Sequence, residues 1–561
     1  MRLDKLTIGS ADAGPGQHFK NLKNVTIDFD QDHWVTVVIG WNGTGKSNVL
    51  EALAIIFRDL IVKKRTPAFA FRLAYRMSSG DATLHIHIDA DPGREKEPFI
   101  IHVATDVQAR QAKLVHSLPE FDLVDPQPPG NKLKLSAFLR AEGQYLPRYV
   151  FSYYSGESTR MHEVFRPYLE SYDSKLRNGE DPGLKRLFYA MPVHSQFVLL
   201  AFLIQQSDVV RGFLDNHLGL DPEEGIESVL FVLRQPPWKS KAPDGDPRFW
   251  NARGVVRDFL SRLYDIALAP VDFTSRVSTS IWNKETLQFK YLYVKDIAAL
   301  RRLVGNQTPA QFFRDLESTY VSELIEEVRI RVRLKKNDGS VTFRELSEGE
   351  QQLLTVLGLL RFTAENESLF LLDEPDTHLN PRWCVEYLNY LKSFVGQNSE
   401  GQDNSHVVLT THNPLAIAEL VKEQVQILYR QPGTRTVHAE NPAVDPKGMG
   451  FAGIVTSDMF GLGSSLDKAT NEDLLALHRL STQATLSDVE RKTLTEIRQR
   501  LEGLDFNFAA RDRLEQEYLR ARFDLTSDAS IEGAIVTPEN KQKALDALVQ
   551  SLLRSLQEGR R

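Results

Sequence analysis

The eight residues Gly40-Trp41-Asn42-Gly43-Thr44-Gly45-Lys46-Ser47 constrain this chain more than any other stretch. They follow an apolar, β-branched run, Val35 to Ile39, and lead into Asn48-Val49-Leu50-Glu51-Ala52-Leu53, which reads as a helix. Strand, glycine-rich loop and helix in that order form the phosphate-binding P-loop pattern. Glycines let backbone N–H groups close around phosphate oxygens, and the helix N-terminus adds its positive dipole end. Lys46 supplies a point charge for β- and γ-phosphates, and the Ser47 hydroxyl suits Mg²⁺. Gly40, Asn42, Gly43, Thr44, Gly45, Lys46 and Ser47 are therefore the candidate nucleotide-binding residues.

Such a loop needs acidic partners. Leu369-Phe370-Leu371-Leu372-Asp373-Glu374-Pro375 is an apolar strand that ends in two carboxylates, the Walker B pattern. A buried strand would deliver Asp373 to the Mg²⁺ shell and leave Glu374 to polarise an attacking water. Upstream, Leu346-Ser347-Glu348-Gly349-Glu350-Gln351-Gln352 opens a long helical run. A serine and a glycine at a helix start can hold phosphate oxygens through hydroxyl and backbone N–H. Downstream, Val407 to Thr411 is another apolar strand, ending at His412, whose ring can hydrogen-bond a γ-phosphate.

Composition narrows what surrounds this machinery. The chain has 561 residues, enough for several domains. Its net charge of −7 confines any nucleic-acid binding to a local basic surface. The single cysteine, Cys384, allows no intramolecular disulfide and points to a reducing compartment. Residues 1–30 carry charges throughout, and no stretch approaches ~18 uninterrupted apolar residues. The expected setting is the cytoplasm, with no membrane.

Three strands are predicted within residues 1–40, with a turn at Gly14-Pro15-Gly16, and further strands over 80–150. His85 and His87 share one face of a strand, where a solvated face is the simpler reading and metal binding the other. Lys63-Lys64-Arg65 is a basic cluster. Leu184 to Ile204 and Gly254 to Ala267 read as helices. The loop 235–254 between them carries Trp238, Lys239, Arg248, Trp250 and Arg253, which suits either single-stranded nucleic acid or a surface loop anchored by its aromatics. Val328 to Lys335 alternates apolar residues with Arg329, Arg331, Arg333 and Lys335, and Asn337-Asp338-Gly339 supplies a hairpin turn. Four helices are predicted near the C-terminus, over 471–480, 488–504, 510–523 and 540–556.

The order P-loop, serine-glycine signature, Walker B with a following glutamate, then a strand-terminal histidine resembles the ABC-type ATPases, most closely the SMC/RecF/OLD branch. The P-loop with Asn42, the signature Leu-Ser-Glu-Gly-Glu-Gln-Gln, and Pro375-Asp376-Thr377-His378-Leu379 as the D-loop carry that resemblance. The moderate insert between P-loop and signature is similar to that of defence ATPases related to the Septu ATPases (PtuA), and Gly450 to Asp467 resembles their post-ATPase segment by general pattern. The resemblance implies an α/β fold: an ABC/SMC-like ATPase head, a mixed sheet around the P-loop, with an inserted helical domain and a helical C-terminal domain. The implied pieces are 1–155, the P-loop lobe; 156–325, a mainly helical insertion; 326–455, the lobe with signature, Walker B and histidine strand; and 456–561, a helical C-terminal domain. It implies ATP with Mg²⁺ held by Ser47 and Asp373, and Glu374 and His412 as catalytic residues. Ser347, Gly349 and Glu350 would meet the ATP of a second copy in a head-to-head dimer. A Q-loop glutamine is implied, for which Gln144 and Gln196 are candidates. No nuclease constellation follows His412, so the resemblance implies a separate effector, an HNH-type nuclease or a toxin, in antiphage defence. The alternative is a RecF/SMC-like ATPase acting directly on DNA.

Overall fold

A computed structural model describes residues 1–9, 17–79, 82–116, 128–156, 159–204, 207–221, 225–240, 242–278, 284–335, 340–363, 367–395, 405–431, 436–462, 464–481, 483 and 486–504. The turns predicted at 14–16 and 337–339 and the helices at 510–523 and 540–556 lie outside the described residues. The chain forms two compact units, Met1–Leu462 and Gly463–Arg561.

The P-loop strand Val35–Gly40 sits inside a seven-stranded sheet. The order across the sheet is Val437–Glu440, Val425–Arg430, Val35–Gly40, Ser405–Thr410, Ser368–Asp373, Tyr149–Tyr154 and Leu187–Tyr189. Every neighbouring pair is parallel except the first, which is antiparallel. Asp373 lies in register with Thr410 on one side and Tyr154 on the other. The P-loop, both Walker B carboxylates and His412 therefore emerge at one carboxyl edge, where open α/β sheets bind ligands.

Alternation along these strands divides the core into two layers. Val35, Val37, Ile39, Phe370, Leu372, Val407 and Leu409 pack on one face. Val38, Leu369, Leu371, Val408 and Val150 pack on the other. Strands buried on both faces must be apolar throughout, which is why they read as unbroken runs. The second face is covered by the helix Lys46–Ile61, by the helix Arg160–Arg177, and by a six-stranded antiparallel sheet built from residues 2–133. Buried His406 ties the two sheets together. Its Nδ1 accepts from the Leu3 backbone N–H at 3.1 Å, so the ring is neutral and its Nε2–H donates to Thr36 Oγ1 at 3.1 Å.

The stretch 156–325 holds the expected helices, among them Arg160–Arg177, Val193–Phe202, Gly254–Ile266 and Pro309–Val321. A feature the sequence reading did not expect stands beside them. Ile226–Arg234, Leu268–Ser278 and Lys284–Val294 join Ile325–Arg333 and Ser340–Thr342 in a five-stranded antiparallel sheet. Part of the run read as a helix from Leu184 is the strand Leu187–Tyr189, which extends the parallel sheet past Tyr149–Tyr154. The stretch 156–325 shares its core with the parallel sheet: Phe197 and Val198 belong to the same buried cluster as Val35 and Phe370. A buried ionic group, Lys185, Glu317 and His194, sits in this layer.

The boundary expected at 455/456 moves to 462/463. Ile454 and Met459 are buried in the first unit's core, which holds this segment to that unit. In the second unit, the helices Lys468–Ser481 and Asp488–Glu502 pack through Leu480, Ile497 and Leu501, with Arg500 paired to Asp473.

Candidate active site

Gly40 ends the P-loop strand at φ +143°, and a Cβ there would stand 2.3 Å from the Leu428 carbonyl oxygen of the neighbouring strand. Only glycine fits so close to backbone while turning the chain into the loop. The loop then feeds the helix Lys46–Ile61. Lys46 Nζ donates to the Gly40 carbonyl at 2.9 Å. Its burial lowers the ammonium pKa, and nearby Glu374 and Asp373 act in the opposite direction.

The P-loop meets the Walker B strand through one bond: Ser47 Oγ donates to Asp373 Oδ1 at 3.0 Å. The same carboxylate oxygen accepts from Thr410 Oγ1 at 2.5 Å, and Oδ2 accepts from Arg160 Nη2 at 3.3 Å. Burial raises the Asp373 pKa, and the hydroxyls of Thr410 and Ser47, then the charge of Arg160, oppose that rise. Glu374 follows with φ +52°, a left-handed conformation rare for a non-glycine residue. Its N–H donates to Thr410 O at 3.0 Å and contacts Thr410 Oγ1 at 3.2 Å, which fixes the turn. Glu374 Oε1 lies 3.0 Å from His412 Nε2, and that hydrogen bond holds its carboxyl below the usual glutamate range.

These groups line a cavity of ≈ 370 Å³. Asn42, Gly43, Gly45, Lys46, Ser47, Glu374 and His412 are on its wall. Gly40 and Thr44 are not; they shape the loop from behind, Gly40 through Lys46 and Thr44 through a 2.8 Å bond from Oγ1 to the Trp41 carbonyl. Asp373 lies beneath the wall, reached through Ser47 and Arg160. The donor set of a hydroxyl and a carboxylate on adjacent elements fits Mg²⁺, a hard cation that takes oxygen ligands.

Ser347, Gly349 and Glu350 do not line this cavity. Ser347 caps the helix Glu348–Thr363: Glu350 Oε2 accepts from the Ser347 N–H at 2.8 Å and from its Oγ at 2.9 Å. A Cβ at Gly349 would stand 2.5 Å from the His378 carbonyl, so the signature turn presses directly on the D-loop. D-loop Asp376 is buried and accepts from Thr411 Oγ1 at 2.8 Å, which joins it to the histidine strand.

Gln144 and Gln196 are likewise absent from the wall. Gln144 is exposed on the short helix Glu142–Tyr145, and Gln196 lies in Val193–Phe202. The position past the strand Tyr149–Tyr154 that faces the cavity is held by Arg160, over the Tyr154 ring at 5.3 Å. Sequence reasoning also missed Lys20, Asn21, Asn48 and Arg430 on the wall, and Thr410 behind it. Asn21 Nδ2 donates to the Gly43 and Thr44 carbonyls at 3.2 and 2.9 Å, and Arg430 Nη2 to the Gly43 carbonyl at 2.7 Å. No motif marks them; the available signal was that Arg160 and Arg430 stand at or just beyond the ends of apolar strands.

Elsewhere the sequence candidates resolve into ordinary structure. His85 Nε2 pairs with Asp106 at 2.7 Å, and among the described residues no group of three or more His, Cys, Asp or Glu side chains could hold a metal. In the loop 235–254, Arg248 pairs with Asp246, Arg253 with Asp244, and Trp238 Nε1 donates to the Ser322 carbonyl at 2.9 Å. That loop is anchored by its own charges and aromatics. Lys63 and Arg65 line a larger open cavity of ≈ 730 Å³ with Lys96, Lys134, Arg140 and two glutamates. Among the described residues, no helix is long and apolar enough to cross a membrane.

Comparison with known proteins gives the same picture in parts. The family model "AAA domain, putative AbiEii toxin, Type IV TA system" matches residues 213–418, and "AAA ATPase domain" matches 17–103. The Septu protein PtuA of Bacillus mycoides (strain KBAB4) is 26% identical over 157 residues, 26% of this chain and 21% of the relative. The "Retron Vc95 probable ATPase" of Vibrio cholerae serotype O1 biovar El Tor is 27% identical over 127 residues, 20% of this chain and 23% of the relative. The matched segments thus span about a fifth of the length of these relatives. An SMC head domain from Thermotoga maritima aligns at a TM-score of 0.30 and 13% identity, over 79% of this chain and 100% of that one. A score that low carries no argument, and the fold rests on the strand order itself.

Proposed function

We propose that this chain, an SMC/RecF-like AAA ATPase, binds ATP with Mg²⁺ at the carboxyl edge of its parallel sheet and hydrolyses the γ-phosphate there. One contact carries the reading: the 3.0 Å bond from Ser47 to Asp373, which brings P-loop and Walker B together across 326 residues of sequence. Lys46 and the loop N–H groups hold the phosphates. Ser47 and Asp373 would hold Mg²⁺, which neutralises phosphate charge when bound. Glu374, kept ionised by His412, accepts a proton from the attacking water. His412 orients Glu374 and stands within reach of the γ-phosphate.

The site is half of the working assembly. Ser347, Gly349 and Glu350 stand away from their own cavity, and they complete the site of a second copy in a head-to-head dimer closed by ATP. The names of the relatives, a Septu protein and a retron ATPase, and the toxin named in the family model support a role in antiphage defence. In that role the nucleotide state gates a separate effector, an HNH-type nuclease or a toxin. Lys46→Ala is expected to abolish nucleotide binding, Glu374→Gln to bind ATP without turnover, and Ser347→Arg to bind ATP as a monomer without closing. Normal hydrolysis by Ser347→Arg would refute the shared site. Copurification from the native operon tests the effector: robust DNA cleavage by the chain alone, unchanged by Glu374→Gln, would refute the gating role.

The second reading, direct action on DNA, has one observation behind it. Lys63, Arg65, Lys96, Lys134 and Arg140 outnumber Glu95 and Glu97 around the larger cavity. It predicts salt-sensitive binding of duplex DNA by the chain alone, lost on reversing Lys134 and Arg140 to Glu.

A further inference from the structure

We infer that Arg160 is the residue by which this site distinguishes a nucleoside triphosphate from a diphosphate, its guanidinium binding the γ-phosphate. The inference rests on the nucleotide reading proposed above and assigns a specific residue within it.

The strand order sets the polarity of the cavity. Arg430 ends the strand Val425–Arg430 on one flank of the P-loop strand, and its guanidinium bonds the Gly43 carbonyl. Lys20 and Asn21 stand on that same flank, beside Gly43 and Gly45. On the other flank, past the strand Ser405–Thr410, come Asp373 and Glu374, and one strand further Tyr154 with Arg160 just beyond it. At ~4.8 Å between neighbouring strands, Arg430 and Tyr154 are about 19 Å apart along the sheet, yet Arg430 and Arg160 both line one cavity. The phosphate chain lies along the P-loop between them. Hydrolysis needs the terminal phosphate at Glu374, so the γ end points toward Arg160. The flank of Arg430 and Lys20 faces the part shared by ATP and ADP.

Local geometry readies Arg160 for that task. It opens the helix Arg160–Arg177 and is held over the Tyr154 ring, so its approach is fixed by packing. Its Nη2 touches Asp373 Oδ2, while Ser47 and Thr410 both use Oδ1. A guanidinium is planar and binds phosphate oxygens in a two-pronged fork, which a glutamine amide cannot do. A γ-phosphate presents several anionic oxygens to the two prongs of the fork, where Asp373 presents one oxygen at 3.3 Å.

The test measures binding, not turnover. Fluorescent ADP and a non-hydrolysable ATP analogue are titrated, with Mg²⁺, into the full chain as wild type, Arg160→Ala, Arg160→Lys and Arg430→Ala. Loss of a charged hydrogen bond to phosphate predicts that Arg160→Ala lowers the preference for the ATP analogue over ADP by ~10-fold or more, with ADP affinity unchanged. Arg160→Lys keeps part of the preference. Arg430→Ala weakens both nucleotides alike. If Arg160→Ala weakens both nucleotides by one factor, Arg160 merely props Asp373 and the inference is overturned; unchanged affinities overturn it equally. A wild type that binds neither nucleotide overturns the nucleotide reading itself. Should Arg160→Ala melt below wild type, the lysine variant and Arg160→Gln decide the question in the same assay.

Discussion

Thr410→Val removes one hydroxyl and tests how the two carboxylates are held. Thr410 is fully buried, and its Oγ1 donates to Asp373 Oδ1 at 2.5 Å while standing 3.2 Å from the Glu374 N–H. Valine keeps the shape and the β-branched strand character, and the backbone bond from Glu374 N to Thr410 O survives. What is lost is a hydrogen bond to a buried charge, ~1.5–3 kcal/mol by the usual range. Asp373 is 2% exposed, so water cannot replace the lost donor. Burial already raises its pKa, and Thr410 is the largest of the opposing influences, so the substitution raises it further. The sign follows from linkage. A carboxyl that titrates above its unfolded value costs stability when ionised, and Thr410→Val enlarges that cost at neutral pH. The expected result is a Tm lower by a few degrees, a higher Mg²⁺ concentration at half-maximal ATP hydrolysis, and an acid limb of the rate profile displaced to higher pH. Melting scans and ATPase rates across pH and Mg²⁺ measure all three. An unchanged acid limb and Mg²⁺ requirement, with normal stability, would refute the claim that Thr410 tunes Asp373.

Further predictions concern groups beyond that hydroxyl. His412→Ala removes the bond that holds the Glu374 pKa down, so the acid limb of residual hydrolysis moves to higher pH; a rate profile parallel to wild type would show that the pair does not matter. Lys185→Met leaves Glu317 buried without its ammonium partner. Burial raises the Glu317 pKa, and Lys185 and His194 overcome it to bring it to about 2, so denaturant unfolding of Lys185→Met should show a loss of ~3–5 kcal/mol, partly recovered by adding Glu317→Gln. His87 lies across from His102 in the antiparallel sheet; burial, then the neighbouring His85 and His102, lower its pKa from 6.5 to about 4. Since the folded form binds this proton less readily than the unfolded one, stability falls as pH drops from about 6.5 to about 4. His87→Gln should flatten that part of a pH-dependent melting curve.

The sequence by itself determined the elements whose chemistry is local and whose order is fixed. The P-loop, the Walker B strand and the histidine strand could be read because a strand buried on both faces must be an apolar run, and a phosphate loop must be glycine-rich. Those runs became Val35–Gly40, Ser368–Asp373 and Ser405–Thr410, side by side in one sheet. Only the tertiary structure decided what stands around them. Arg160, Arg430 and Thr410 reach the site by strand order, which brings residues hundreds of positions apart to one edge while single side chains leave no local pattern. The unexpected five-stranded sheet arose the same way. Leu268–Ser278 is exposed over most of its length and pairs through backbone bonds with Lys284–Val294, so its side chains carry no strict alternation to betray it. The boundary at Leu462 likewise follows from Ile454 and Met459 finding a core built by distant residues, a choice no local composition announces.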